Sequence, residues 1–149
     1  MKNRKIIVTE IIINAPAGRV WSVLTNLAGY EKWNPFLIKS EGEIKANTKL
    51  INVMRNGTGT MTFKPVVQRV EPMVYFDWIG HLFLPGIFDG HYYFKIQTIS
   101  DSRVKLIHGE LFSGILSSFI FRKIRNDTRL NFAKMNQALK NEVEKSANQ

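Results

Sequence analysis

After Ser113 and Gly114 the chain stops alternating and begins to repeat every three to four residues: Phe121, Ile124, Thr128, Phe132, Met135, Leu139 and Val143 form one apolar stripe. A helix over about 116–145 with that stripe on one side has Arg122, Lys123, Arg125, Arg129, Lys134 and Lys140 mostly outside it. Such a helix is stable only when an apolar surface covers the stripe. Asn126-Asp127-Thr128 is the weak patch, where the helix would restart or bend.

The covering surface has to come from the residues before it, and those read as strands. Residues 5–14 are rich in Ile and Val and stop at Asn14-Ala15-Pro16. Pro16 suits a first helical turn, and Val20, Trp21, Leu24 and Leu27 follow at helical spacing; Gly29 and Pro35 allow one more short helix at most. From Leu37 onward β-forming stretches alternate with turn signals at Glu41-Gly42, Asn56-Gly57, Glu71-Pro72 and Asp101-Ser102. Strands are expected at 37–43, 49–55, 58–69, 74–81, 91–100 and 104–112. With the first, that is a seven-stranded antiparallel sheet in an α+β fold, the sheet wrapped around the long C-terminal helix and two short helices following the first strand.

Alternation also says which side chains look toward the helix. In 91–100 the even positions Tyr92, Phe94, Ile96 and Thr98 are more apolar than His91, Tyr93, Lys95 and Gln97, so even residues face inward. Val104, Leu106 and Phe112 select the even face of the next strand, which carries His108 and Glu110 inward with them. Equal parity on both strands implies an odd connection such as Asp101-Ser102-Arg103. The same test turns Phe76, Trp78 and Gly80 inward, and also Met61 and Phe63. His108 and Glu110 are therefore two ionisable groups on an apolar face. They are either a hydrogen-bonded structural pair or a polar anchor in a ligand cavity, because an unpaired buried charge does not persist.

Composition narrows the function. The 149 residues, 44% apolar and 22% charged, suit a single domain spanning 1–149 and exclude a disordered or coiled-coil chain. Without Cys there is no disulfide, thiolate metal site or Cys nucleophile, and a reducing cytoplasm is the expected location. The basic start, Met1 to Lys5, never opens into a signal-like apolar region, and no apolar run approaches the roughly 20 residues of a membrane span. The net charge of +9 permits a weak contact with an anionic membrane surface; Lys and Arg are spread along the chain except for one cluster, Arg122, Lys123, Arg125 and Arg129, which reads as a solvated helix face, so no specific nucleic-acid partner is expected. Three His without Cys give no closed zinc site, Gly57-Thr58-Gly59 lacks the rest of a phosphate loop, and Ser113-Gly114 is no nucleophile elbow. No metal or cofactor is expected, and acid/base chemistry by His108 and Glu110 is what remains.

The segments "VWSVLTNLAGYEKWNPF", "WIGHLFLPGIFDGHYYF", "HGELFSG" and "MNQALKNEVE", in this order, resemble the START-like or SRPBCC superfamily, and within it the polyketide cyclase/dehydrase-like branch. The resemblance spans nearly the whole chain and implies a helix-grip fold. Many relatives have a His where this chain has Tyr92, so no role of that His is carried over. Besides a few cyclases, the superfamily includes lipid carriers, hormone receptors, aromatic-ring oxygenase domains and chaperone activators, which implies an apolar small-molecule partner in a cavity between sheet and helix. The inner positions that would line it are Trp33, Phe36, Met61, Phe63, Phe76, Trp78, Tyr92, Phe94, Phe112, Phe132 and Met135, although each alone fits plain core packing. Its mouth is expected near 82–88, where Leu82, Phe83, Leu84, Ile87 and Phe88 are unusually apolar for a loop and Gly86 and Gly90 allow movement. His108 and Glu110 would anchor the ligand or, in the cyclase/dehydratase alternative, move protons. A protein-interaction role like that of the chaperone activators is the minor alternative.

Overall fold

A computed structural model describes residues 5–147, with the side chains of 146 and 147 left aside. Strand β1 (Ile6–Ile13) leads into α1 (Ala17–Thr25), a 3-10 turn (Leu27–Gly29) and α2 (Tyr30–Trp33). Asn34 ends α2 in extended conformation before Pro35, and its side-chain oxygen accepts the N–H groups of Phe36 and Leu37, both at 2.9 Å. That turn aims the chain into β2 (Leu37–Glu41), followed by β3 (Ile51–Asn56), β4 (Gly59–Phe63), β5 (Val66–Glu71), β6 (Tyr75–Leu82), β7 (Phe88–Ser100) and β8 (Arg103–Ser113). Helix α3 (Ser117–Ala147) closes the molecule and runs unbroken through Asn126-Asp127-Thr128.

The described residues hold eight strands in two antiparallel sheets, β1-β8-β7-β6-β5 and β2-β3-β4, rather than seven in one. The expected strand at 58–69 breaks at Lys64-Pro65. Pro65 has no N–H to continue a ladder, so β4 stays with β3 while β5 turns to β6. The two sheets remain stitched across the break: Leu50 donates to the Pro65 carbonyl at 2.8 Å, and Val67 donates to Thr48 at 2.9 Å. The grip around the helix is therefore a five-stranded sheet with a three-stranded flap.

Parity comes out with even residues inward on β6, β7 and β8. Phe76, Trp78, Tyr92, Phe94, Ile96, Val104, Leu106 and His108 are all buried. The β7–β8 connection is not the odd loop, because Ser100 pairs with Arg103 and only Asp101-Ser102 intervene. A register shift between Thr98 and Ser100 absorbs the extra residue, so Tyr92 still faces Glu110 and Phe94 still faces His108. Along α3 the stripe divides in two. Phe132, Met135, Leu139 and Val143 are fully buried, while Phe121, Ile124 and Thr128 are only half-buried. Beneath that first half of the helix lies a void. Among the described residues no helix is long and apolar enough to cross a membrane.

Candidate ligand cavity

The void originates in two glycines. Gly80 and Gly90 pair across β6 and β7 on the inner face, so the sheet carries no side chain at that point. A Cβ on Gly80 would find Phe63 at 3.5 Å and Pro65 at 3.6 Å, whereas one on Gly90 would collide with the Glu110 carboxylate. Gly90 thus makes the room in which the Glu110 side chain lies. The cavity is about 250 Å³, just below the roughly 300–1,000 Å³ of sites for drug-sized ligands.

Its walls come from four places. Trp78, Leu82, Phe88 and Phe112 rise from the five-stranded sheet, Met54, Met61 and Phe63 from the flap, Phe36 from the turn after α2, and Ile120, Ile124, Thr128 and Asn131 from α3. Trp78 stacks flat on Tyr92 (centroids 4.6 Å apart, 2° between planes) and Phe88 stacks on Phe112 (5.3 Å, 6°). These pairs keep the wall aromatic and stiff. Arg55, Lys123, Asp127 and His81 add polar groups. His81 Nδ1 lies 2.7 Å from Asp89, whose carboxylate also accepts the Gly86 N–H at 3.0 Å, which fixes the β6–β7 loop.

Of the eleven apolar positions read from the sequence, Phe36, Met61, Phe63, Trp78 and Phe112 line the cavity. Phe76, Tyr92, Phe94, Phe132 and Met135 are buried behind the wall as core, and Trp33 packs edge-on against Tyr30 at 5.1 Å, half-buried. Of the mouth segment, Leu82 and Phe88 face the cavity while Phe83 and Leu84 are exposed. On α3 the sequence singles out Phe132 and Met135 as lining, but the cavity lies one to three turns earlier, against Ile120, Ile124, Thr128 and Asn131, which recur at spacings of three and four on one helical face.

His108 and Glu110, two residues apart on one face, sit in different surroundings. The imidazole is wholly buried, sandwiched between Phe132 (4.0 Å, 5°) and Phe94 (4.3 Å, 26°), and it does not line the cavity. Its Nδ1 bonds Asn136 Oδ1 at 2.8 Å and its Nε2 bonds the Tyr92 hydroxyl. Asn136 Nδ2 donates to Thr9 Oγ1 at 2.8 Å, so its oxygen is the acceptor, which assigns the proton to Nδ1 and makes Tyr92 the donor to Nε2. Thr9 in turn donates to the His108 carbonyl at 2.9 Å, closing a network that ties β1, β7 and β8 to α3. Burial holds the imidazole neutral, its pKa lowered to about 3, against a smaller opposing effect of the Asn136 hydrogen bond.

Glu110 has no such network. Among the described residues no donor reaches its carboxyl, which borders the apolar cavity, and burial alone pushes its pKa up to about 8. At neutral pH it is therefore largely a protonated acid, a donor facing open space. No group of three or more His, Asp or Glu suited to a metal ion occurs among the described residues.

A helix gripped by an antiparallel sheet over an apolar cavity defines a class, the START-like, Bet v1-like superfamily. Residues 4–144 match the family described as polyketide cyclase/dehydrase and lipid transport, and the chain belongs to that family. No curated protein matches it significantly. Similar solved structures include Zhui aromatase/cyclase from Streptomyces sp. R1128 (TM-score 0.80, 17% identity, 97% of this chain and 96% of that one). A START superfamily protein from Mycobacterium smegmatis (0.72, 15%, 94% and 97%) is similar too. So is norcoclaurine synthase from Thalictrum flavum, solved with dopamine and hydroxybenzaldehyde (0.71, 16%, 95% and 87%). At these identities the likeness is one of fold.

Proposed function

We propose that this protein binds a small apolar molecule, one or two rings in size, whose carbonyl or hydroxyl oxygen accepts a hydrogen bond from the neutral carboxyl of Glu110. The observation that carries this reading is that carboxyl: it receives no hydrogen bond among the described residues and is given its place by Gly90, in a cavity whose walls are mainly aromatic, Met, Leu and Ile side chains with Arg55, His81, Lys123, Asp127 and Asn131 at their polar positions. Glu110 is half-buried at the cavity wall, so a ligand that supplies an acceptor to its carboxyl is favoured over one that does not. A cavity of about 150 Å³ takes benzene, and the larger one here leaves room for a second ring or a short substituent. The family description, with its polyketide and lipid members, supports the same ligand class.

Tryptophan quenching by 2-acetylnaphthalene and by 2-ethylnaphthalene tests this. Wild type should prefer the ketone at pH 6 and lose the preference above pH 8, when Glu110 ionises. Glu110→Leu should bind both alike. Equal affinity of wild type for the two probes at pH 6 would defeat the anchor.

The second reading is catalysis, favoured by the same value: a carboxyl with a pKa of about 8 gives and takes protons near neutrality. In a dehydration of a β-hydroxy ketone, the substrate loses a proton from carbon and its hydroxyl leaves as water. Glu110 would work without His108, whose two ring nitrogens are both engaged. Loss of product formation in Glu110→Gln with binding retained is the expected signature, measured by mass spectrometry on such a substrate.

A further inference from the structure

Phe83, Leu84, Ile115, Leu116 and Phe119 leave their side chains in solvent, Ile115 at 81%, Phe83 at 72%, Leu84 at 71% and Phe119 at 62% exposure. They come from two segments that the backbone holds side by side. Ile115 donates to the Gly86 carbonyl at 2.9 Å and Leu116 to that of Ile87 at 3.0 Å. Gly114 permits this approach: its φ is +110°, and a Cβ there would lie 2.6 Å from the Ile87 carbonyl carbon. Phe83 keeps φ +69°, a conformation that side-chain-bearing residues rarely adopt, and it does so at a loop tip with its ring in water. An exposed apolar patch of this kind, built on a strained loop, marks a docking surface.

The charge around it is mainly basic, with Asp89 held by the Gly86 N–H and His81, and Asp127 one helical turn beyond Lys123. Arg122, Lys123 and Arg125 follow Phe119 on α3, all exposed, with the Lys123 ammonium 4.2 Å from the centre of the Phe119 ring. Lys5 reaches Ser118 at the start of the same helix. No Asp or Glu occurs within 82–88 or 111–126. The patch also borders the cavity, since Leu82 and Phe88 flank the exposed loop residues and line the void, as do Ile120 and Ile124 beyond Phe119.

We infer that this face docks on the surface of an anionic lipid bilayer, the five apolar side chains entering the headgroup boundary and the basic residues meeting lipid phosphates. Apolar side chains with a basic rim are what an anionic interface attracts. A second copy of the chain is the poorer occupant, because a two-fold contact would bring two basic rims together. Docking itself does not depend on the ligand reading; only the consequence that the cavity opens toward the acyl phase rests on it.

Co-sedimentation of the full chain with vesicles tests the inference, using phosphatidylcholine alone and phosphatidylcholine containing about one third phosphatidylglycerol. No apolar ligand is added, so failure of docking is told apart from failure of 2-acetylnaphthalene binding. Partition should favour the anionic vesicles and fall with added salt. The double variant Phe83→Ser/Leu84→Ser should weaken it about tenfold or more, and Arg122→Gln/Arg125→Gln by about 25-fold, fivefold per positive charge removed near the surface. Melting temperatures show whether the variants are folded, and Ile115→Ser supplies the apolar arm should the loop variant be destabilised. Absence of binding to anionic vesicles, binding indifferent to the serine substitutions, or a dimer in sedimentation velocity that Phe83→Ser dissolves would each overturn the inference.

Discussion

Burial raises the carboxyl of Glu110 to a pKa of about 8 and lowers the imidazole of His108 to about 3, so the two groups bias stability in opposite directions with pH. Folded protein holds the Glu110 proton more tightly than the unfolded chain does, so stability from this group is full below pH 4.5 and is lost as pH rises toward 8. Folded protein refuses the His108 proton that the unfolded chain takes up, so stability from that group is full above pH 6.5 and is lost as pH falls toward 3. Between pH 6.5 and 8 only Glu110 contributes. Glu110→Gln should therefore remove the decline of denaturant stability across that window, on the order of 1 kcal/mol after allowance for solvent in the cavity. An unchanged decline would mean that Glu110 is solvated. Tyr92→Phe strips the donor from His108 Nε2 and leaves a buried acceptor unmet, with an expected loss of about 1–3 kcal/mol in urea unfolding. Alternation in β8 made the inward placement of both groups legible in the sequence. Their divergence was not, because the partners of His108 come from Thr9, Tyr92 and Asn136, three separate elements.

Strands and helices follow local rules wherever the rule is periodic. The stripe in 117–147 gave a helix, and the half-burial of its first part is the mark of the cavity beneath it. Phe132→Asp should unfold the protein, by roughly 4 kcal/mol or more, since it places a charge at a fully buried position, while Lys134→Asp on the exposed side should cost about 0.5 kcal/mol or less. Equal tolerance by thermal melting would contradict the way α3 packs. Pro65 is the element-scale feature that the strand pattern hid. Val66 to Val70 continue the β-forming composition past it, yet the missing N–H divides one expected strand between two sheets. The flap created by that break supplies Met54, Met61 and Phe63, so the cavity's far wall owes its position to one proline.

For the molecule as a whole, the sheet, flap and helix enclose a space that the sequence implied through its resemblance to a superfamily and whose position depends on contacts between distant residues. The pairing of Gly80 with Gly90 was unreadable without the β6–β7 register, although both glycines stood in the sequence. Filling the space from that point should abolish binding without unfolding: Gly90→Leu adds bulk where the Glu110 carboxyl and the cavity now lie, on a strand residue whose backbone accepts a side chain. The proposed ligand, an apolar molecule with one oxygen acceptor, sits between Trp78, Phe112 and Ile124 with that oxygen on Glu110. A crystal structure of the protein grown with 2-acetylnaphthalene at pH 6 measures this most directly. The ring system should lie within van der Waals contact of those three side chains and the ketone oxygen within about 3 Å of a Glu110 carboxyl oxygen. A cavity closed by inward-turned side chains, or a ligand whose oxygen points away from Glu110, would contradict it.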